Sequence, residues 1–224
     1  GSLVTAESQC AGRGRRGRSF YSPKGSGIYL SILLYPKKTA AESLEITAAA
    51  AVAVCRAVEK VCGVSLGIKW VNDLYREDRK VCGILTEAVT DFETGDIEFA
   101  VVGIGLNLWD PPEGFPEELQ AHAGSLFDQK VSVDRNRLAG EIVNELLIES
   151  EKPGIPQEYR RRNIVPGRRI QVAYGDRIRK VKALEVMEDG RLLVENEAGQ
   201  EEILPCGDVS VFFGERGGNC GSRS

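Results

Sequence analysis

The sequence predicts an α+β protein: a mixed, largely antiparallel sheet flanked by helices, followed by a small β-barrel. Three observations carry this reading. Between Leu66 and Leu108, three apolar runs joined by short polar turns have the pattern of an antiparallel meander. Helical patterns precede and follow them, at residues 43–62 and from Asp134 to about Glu149. After Pro166-Gly167 the composition changes to short alternating strands separated by glycine-containing turns. The chain of 224 residues is accordingly divided into a domain at 1–164, a barrel at 165–214 and a glycine-rich tail at 215–224 that reads as disordered.

Taken in order, Leu3–Glu7 reads as a strand that delivers the chain to a basic loop, and Ile28–Tyr35 as a second strand ended by Pro36. Tyr21-Ser22-Pro23-Lys24-Gly25-Ser26-Gly27 is turn chemistry between them. Residues 43–62 are alanine- and valine-rich, with Ser43 as candidate N-cap and Gly63 as candidate stop, so a largely buried helix is expected. Strands follow at Leu66–Trp70, Lys80–Val89 and Ile97–Leu108, with Arg76–Arg79 and Asp91–Asp96 as the turns. The near-continuous apolar run Phe99–Leu106 suggests a central strand covered on both faces. Beyond the proline-rich stretch 110–130, with a short helix at Pro116–His122, Ser132 or Asp134 caps a helix whose stripe is Leu138, Ile142, Val143, Leu146 and Leu147. A short helix covers Gln157–Asn163. The barrel strands are expected at 169–173, 180–187, 192–195, 202–204 and 209–213.

Composition excludes several function classes. The net charge of −4 and a pI near 5.3 argue against nucleic acid as the main partner. No apolar run reaches the roughly 18 residues of a membrane span, and the start lacks a signal-peptide pattern. Six cysteines (Cys10, Cys55, Cys62, Cys82, Cys206, Cys220) form no C-x-x-C pair, and most lie in apolar runs, so a reduced, cytoplasmic protein fits better than a disulfide scaffold. Cys10 borders the basic loop, which would lower a thiol pKa, but its one possible imidazole partner, His122, is far away in sequence. A single histidine also removes any multi-histidine metal site.

The most informative stretch is Gly12-Arg13-Gly14-Arg15-Arg16-Gly17-Arg18, with three glycines and four arginines over seven residues and no acid between Ser8 and Lys37. Glycines permit close backbone approach, and arginine forks suit carboxylate and phosphate. The loop reads as a clamp for a small anion with several oxygens, or as a solvated basic loop or nucleic-acid patch. Two further motifs accompany it: Lys69-Trp70-Val71-Asn72-Asp73, and Lys80-Val81-Cys82-Gly83-Ile84-Leu85 with Gly103-Ile104-Gly105-Leu106-Asn107 behind it.

This set, in this order and spacing, resembles the biotin protein ligases over essentially the whole chain. The resemblance implies a catalytic fold similar to the class II aminoacyl-tRNA synthetases and a C-terminal barrel like a small SH3 domain. It implies ATP and Mg²⁺ as co-substrate and metal, biotin as substrate and no tightly bound cofactor. Biotinyl-5′-AMP would be formed, and biotin passed to a lysine of a biotin carboxyl carrier protein by a monomer or homodimer. Carried over residue by residue, Arg13, Arg15 and Arg16 fold over the phosphates, and Lys80 meets the biotin carboxylate and a phosphoryl oxygen. Gln9, Gly12, Arg13, Gly14, Arg15, Lys80, Gly83 and Gly103 line the biotin site. Arg15, Arg16, Lys69, Asn72, Asp73 and Asn107 fall in the nucleotide site, with Asp73 also as metal ligand. Phe20 is expected near the adenine, Gly105 as ligand space and Trp70 in the core.

The chain departs from the family pattern at Val71, where proline is usual, and at Cys10, where threonine is common. The family also carries a strand and helix, with a Ser/Thr-Thr-Asn segment contacting biotin, ahead of the position of Gly1. No helix-turn-helix pattern is present. The rival readings are a lipoate-type protein ligase and a non-catalytic biotin-binding module.

Overall fold

A computed structural model describes residues 1–174, 177–204 and 210–213, with backbone alone at 173, 174, 177 and 210–213. The expected tail at 215–224 lies outside the described residues, as do Cys206 and Cys220. The chain divides into two compact units, Gly1–Ile164 with Glu188–Gly190, and Val165–Met187 with Arg191–Ser224.

The first unit is built on six strands: β1 (Ser2–Ala6), β2 (Gly27–Leu34), β3 (Gly67–Lys69), β4 (Asp73–Arg76), β5 (Arg79–Thr90) and β6 (Ile97–Asn107). Their order across the sheet is β1-β2-β6-β5-β4-β3, and every neighbouring pair is antiparallel. Alternation along the strands separates two faces. Ile28, Leu106, Cys82, Leu74 and Ile68 are consecutive cross-strand partners and all are buried. This face packs under α1 (Ser43–Cys62). From Ala48 to Val54 that helix has only alanine and valine, each no more than 2% exposed, so small side chains let it lie close to the sheet and to α3 (Arg135–Ser150). Thr47 donates to Thr86 of β5 at 2.9 Å.

The helix limits 43–62 are as the sequence predicts, but Ser43 is its first residue rather than its cap. The capping box lies one turn earlier, where Thr39 and Glu42 bond reciprocally around a short 3₁₀ turn, Ala40–Glu42. Gly63 ends the helix at φ 68°. Asp134 caps α3, accepting from the Arg137 backbone N–H at 2.9 Å. The α3 stripe is narrower than expected: Leu138, Ile142 and Leu146 are fully buried, whereas Leu147 is exposed and Glu149 takes the buried place, paired with Arg56 and Lys152. Two short helices, α2 (Glu117–Gln120) and α4 (Gln157–Arg161), complete the unit.

The second unit carries an antiparallel five-stranded sheet in the order β10-β9-β8-β7-β11, from β7 (Arg169–Tyr174), β8 (Arg177–Val186), β9 (Leu192–Glu195), β10 (Glu201–Leu204) and β11 (Ser210–Phe213). Its described core includes Ile170, Val172, Val181, Ala183, Leu192 and Val194.

Candidate active site

The expectation that β6 is covered on both faces is corrected. Its residues alternate between fully and partly buried, and the partly buried face carries Gly103 and Gly105. One row crosses all six strands on this face: Ala6, Tyr29, Gly105, Gly83, Asp73 and Lys69 are consecutive partners. The next row is Val4, Ser31, Gly103 and Leu85. The apolar run misleads because glycine and valine on the open face are as apolar in sequence as those beneath the helix.

The basic loop lies over this row. It is a tight hairpin: Phe20 N–H donates to the Gly12 carbonyl at 2.9 Å, Gly14 to Arg18 at 2.7 Å and Gln9 to Ser22 at 3.0 Å. Its tip, Arg15–Gly17, has two successive left-handed residues, Arg16 at φ 55° and Gly17 at φ 71°. Gly12 is buried, and a side chain there would collide with the Phe20 carbonyl and lie 2.9 Å from Ser22 Oγ. Ser22 Oγ donates to Gln9 Oε1 at 2.6 Å, which fixes the side-chain oxygen of an otherwise exposed residue. Ser22 had no motif signal beyond lying in a turn. The loop also hangs Phe20 over the sheet, its ring against Gly105 and Gly83: a methyl on Gly105 would stand 2.7 Å from Phe20 Cζ, and one on Gly83 3.1 Å from Cε2. Above Gly103 only Leu85 comes near, at 3.6 Å or more, so that part of the floor is open.

Polar groups gather at the β3–β4–β5 end. Lys80 Nζ is 2.6 Å from Asp73 Oδ1, both partly exposed, and lies beside Gly83. The register shift between Leu74 and Tyr75 lies next to Lys80, the kind of bulge that re-aims a strand residue. Asn72 donates to the Ile84 carbonyl at 2.6 Å and accepts from Arg15 Nη1 at 3.3 Å, joining the loop tip to this end. Lys69 Nζ lies 3.4 Å from Tyr75 Oη and 5.4 Å from the ring centroid. Burial pushes its ammonium down to about 8, Asp73 opposes this, and Lys80 and Arg18 add to it. Burial also raises the Tyr75 phenol, and Asp73 adds to that.

The structure therefore brings Gly12, Gly14, Arg15, Lys69, Asn72, Asp73, Lys80, Gly83 and Gly103 to one face or to the loop above it. Arg16 is exposed at the loop tip. Arg13 reaches the other end of β5, where its Nη2 lies 2.8 Å from Glu87 Oε2. Asn107 is buried at the end of β6, and its amide nitrogen donates to the Gly124 carbonyl at 3.0 Å, so that group is committed to holding the 122–127 segment. Trp70 is buried as expected, and the Trp70–Val71 bond is cis. Cys10 is exposed, and His122 meets Lys80 only through the backbone.

Such a face can hold a small molecule on a glycine floor, with cations above and at one end for its anionic groups. Comparison with known proteins bears on which molecule. A family model described as the biotin/lipoate A/B protein ligase family matches residues 1–107. The bifunctional ligase/repressor BirA of Bacillus subtilis is 32% identical over 216 residues, which cover 91% of this chain and 64% of that protein. The biotin–acetyl-CoA-carboxylase ligase of Mycobacterium tuberculosis is 31% identical over 221 residues, covering 93% of this chain and 78% of that one. Among solved structures, a biotin protein ligase from Aquifex aeolicus in complex with biotin and ATP has the same fold, with a TM-score of 0.79, 24% identity and coverage of 96% and 90%. The chain thus spans just under two thirds of its Bacillus relative. On its similarity to the mycobacterial ligase over 93% of its own length and 78% of that protein, this chain belongs to the biotin protein ligase family.

Proposed function

We propose that this chain activates biotin with ATP to biotinyl-5′-AMP and pyrophosphate, then transfers biotin to a lysine of a biotin carboxyl carrier protein. The observation that carries this reading is the convergence of the arginine loop and the Lys80–Asp73 pair on one glycine-floored sheet face. In the first step a carboxylate oxygen bonds to the α-phosphorus as the bond to pyrophosphate breaks. Two anions meet, with a repulsion of ~1 kcal/mol at contact in water and several-fold more in a drier site. Lys80, Arg13, Arg15 and Arg16 offset it, most strongly for charge that develops in the transition state. In the second step the acceptor amine bonds to the acyl carbon, AMP leaves with the electron pair, and the amine loses its proton to solvent. Closure of the loop keeps water from the mixed anhydride.

We assign Gln9, Gly12, Gly14, Arg13, Arg15, Lys80, Gly83 and Gly103 to biotin, and Arg15, Arg16, Lys69, Asn72, Asp73 and Asn107 to the nucleotide. Among the described residues no group of three or more His, Cys, Asp or Glu could cage a metal. One carboxylate, Asp73, fits an ion that arrives with the phosphates, as Mg²⁺ usually does. Bound there, Mg²⁺ would neutralise phosphate charge.

We read 1–164 as the catalytic domain, 165–214 as an SH3-like barrel that docks carrier or nucleotide, and the enzyme as a cytoplasmic monomer or homodimer. Free thiols at Cys10, Cys55, Cys62 and Cys82 support a reducing compartment, and among the described residues no helix is long and apolar enough to cross a membrane. The test is pyrophosphate release from Mg·ATP with biotin, using lipoate as control acid. Release with biotin alone supports the reading. Release with lipoate alone, or with neither acid, overturns it.

A further inference from the structure

Two loop arginines that stand two residues apart reach opposite ends of the site face. Arg15 meets Asn72, beside Asp73 and Lys80, while Arg13 meets Glu87. Glu87 follows Gly83 and Leu85 at alternate positions on β5, so all three belong to the same face, and Glu87 lies ~13 Å along the strand from Gly83. Between the two ends lies the open floor above Gly103 and Leu85. On the ligase reading Arg13 is one of the cations assigned to biotin, and Glu87 offers its guanidinium the same chemical group as the biotin carboxylate. The Arg13–Glu87 pair is 72% and 48% exposed on its two sides, so it is weak and quickly reversible.

Resting on the ligase reading above, we propose that Glu87 is the resting counter-ion of Arg13. It competes with the substrate carboxylate and releases the arginine when acid and nucleotide arrive. Glu87 is a positioning residue: it touches neither reactant, and acts through Arg13 on how tightly the acid is held. Gly103 and Leu85 on the floor are partly buried whereas Glu87 is exposed, so the Coulomb attraction between guanidinium and carboxylate is stronger on the floor than at the rim.

The test compares the parent chain with Glu87→Gln and Glu87→Ala in biotin-dependent pyrophosphate release at saturating Mg·ATP, at low and high salt. With the competitor neutralised, KM for biotin falls about two- to five-fold at low salt while kcat is unchanged. The difference between parent and variants fades towards 1 M salt, where the screening length drops to ~3 Å. An equal or higher KM in both variants, with the parent active, overturns this proposal alone and shows instead that Glu87 supports the working pose of Arg13 or only the fold. Thermal unfolding of each variant separates those two. A parent that releases no pyrophosphate with biotin overturns the ligase reading, and this proposal with it.

Discussion

Replacing Lys80 with alanine removes the cation that lies 2.6 Å from Asp73 and beside Gly83. If Lys80 holds first the biotin carboxylate and then a phosphoryl oxygen, one preorganised charge is lost from the transition state. The expected cost is ~10²- to 10³-fold in the rate of adenylate formation, or about 3–4 kcal/mol. The cost in stability is far smaller, because the Lys80 and Asp73 side chains are 33% and 23% exposed and a partly solvated pair is worth about 1 kcal/mol or less. The change also has a signature that mere damage to the fold would not produce. Lys80 is one of the two cations that help burial push the Lys69 ammonium down to about 8, so its removal raises that value. The assay is biotin-dependent exchange of labelled pyrophosphate into ATP, with a pH titration of Lys69 in metal-free, nucleotide-free protein beside it. Exchange within about threefold of the parent, at saturating biotin and ATP, would refute the role of Lys80.

Further predictions concern the loop, its floor and the thiols. Arg15→Gly breaks the contact with Asn72 at the loop tip; if the chain forms the adenylate as proposed and Arg15 clamps it, biotin then appears on lysines of bystander proteins, and an equal level of such labelling from the parent sinks the clamp. Gly105→Ala sets a methyl 2.7 Å from Phe20 Cζ, so the ring must leave the floor. Overpacking costs ~1–3 kcal/mol, and trypsin cuts the arginine loop faster; an unchanged cleavage rate means the ring does not anchor the loop. Burial pushes the Cys55 thiol up to about 12 and raises Cys82 as well, so in the native protein iodoacetamide at pH 8 labels exposed Cys10 but spares these two, as peptide mapping would show. The unfolded chain ionises both thiols from about their ordinary value of 9.0, so they favour the fold below that pH, and stability declines as pH rises above it.

Local pattern carried most of the element limits. Residues 43–62 form one helix because an uncharged, mostly small-residue run fills nearly three turns between Glu45 and Arg56 and Gly63 can take the left-handed turn that ends it. The three expected strands of the meander lie within about two residues of their limits, because alternation and turn chemistry are local properties, but a fourth, β4 (Asp73–Arg76), forms where the pattern gave only a connection and the start of a turn. Which partner covers a strand face is not local, and there the pattern misled. Phe99–Leu106 reads as buried throughout, yet one face of the strand is only partly buried, with Gly105 under the Phe20 ring and Gly103 open. Leu147 reads as core, yet the place near the end of α3 belongs to Glu149, because Arg56 lies opposite it.

By itself, the sequence determined the α+β class, the basic loop and the three motifs whose order marks the family. Those are properties of residue type and spacing. Only the tertiary structure decided that Lys69, Asp73, Gly83 and Gly105 stand in one row, that Phe20 lies on that row, and that Arg13 turns to Glu87 while Arg15 turns to Asn72. Arg13 and Glu87 are 74 residues apart, and Arg15 and Asn72 are 57 apart. Such contacts exist only once strand order and register bring distant segments together, and nothing in the spacing of either segment encodes that meeting.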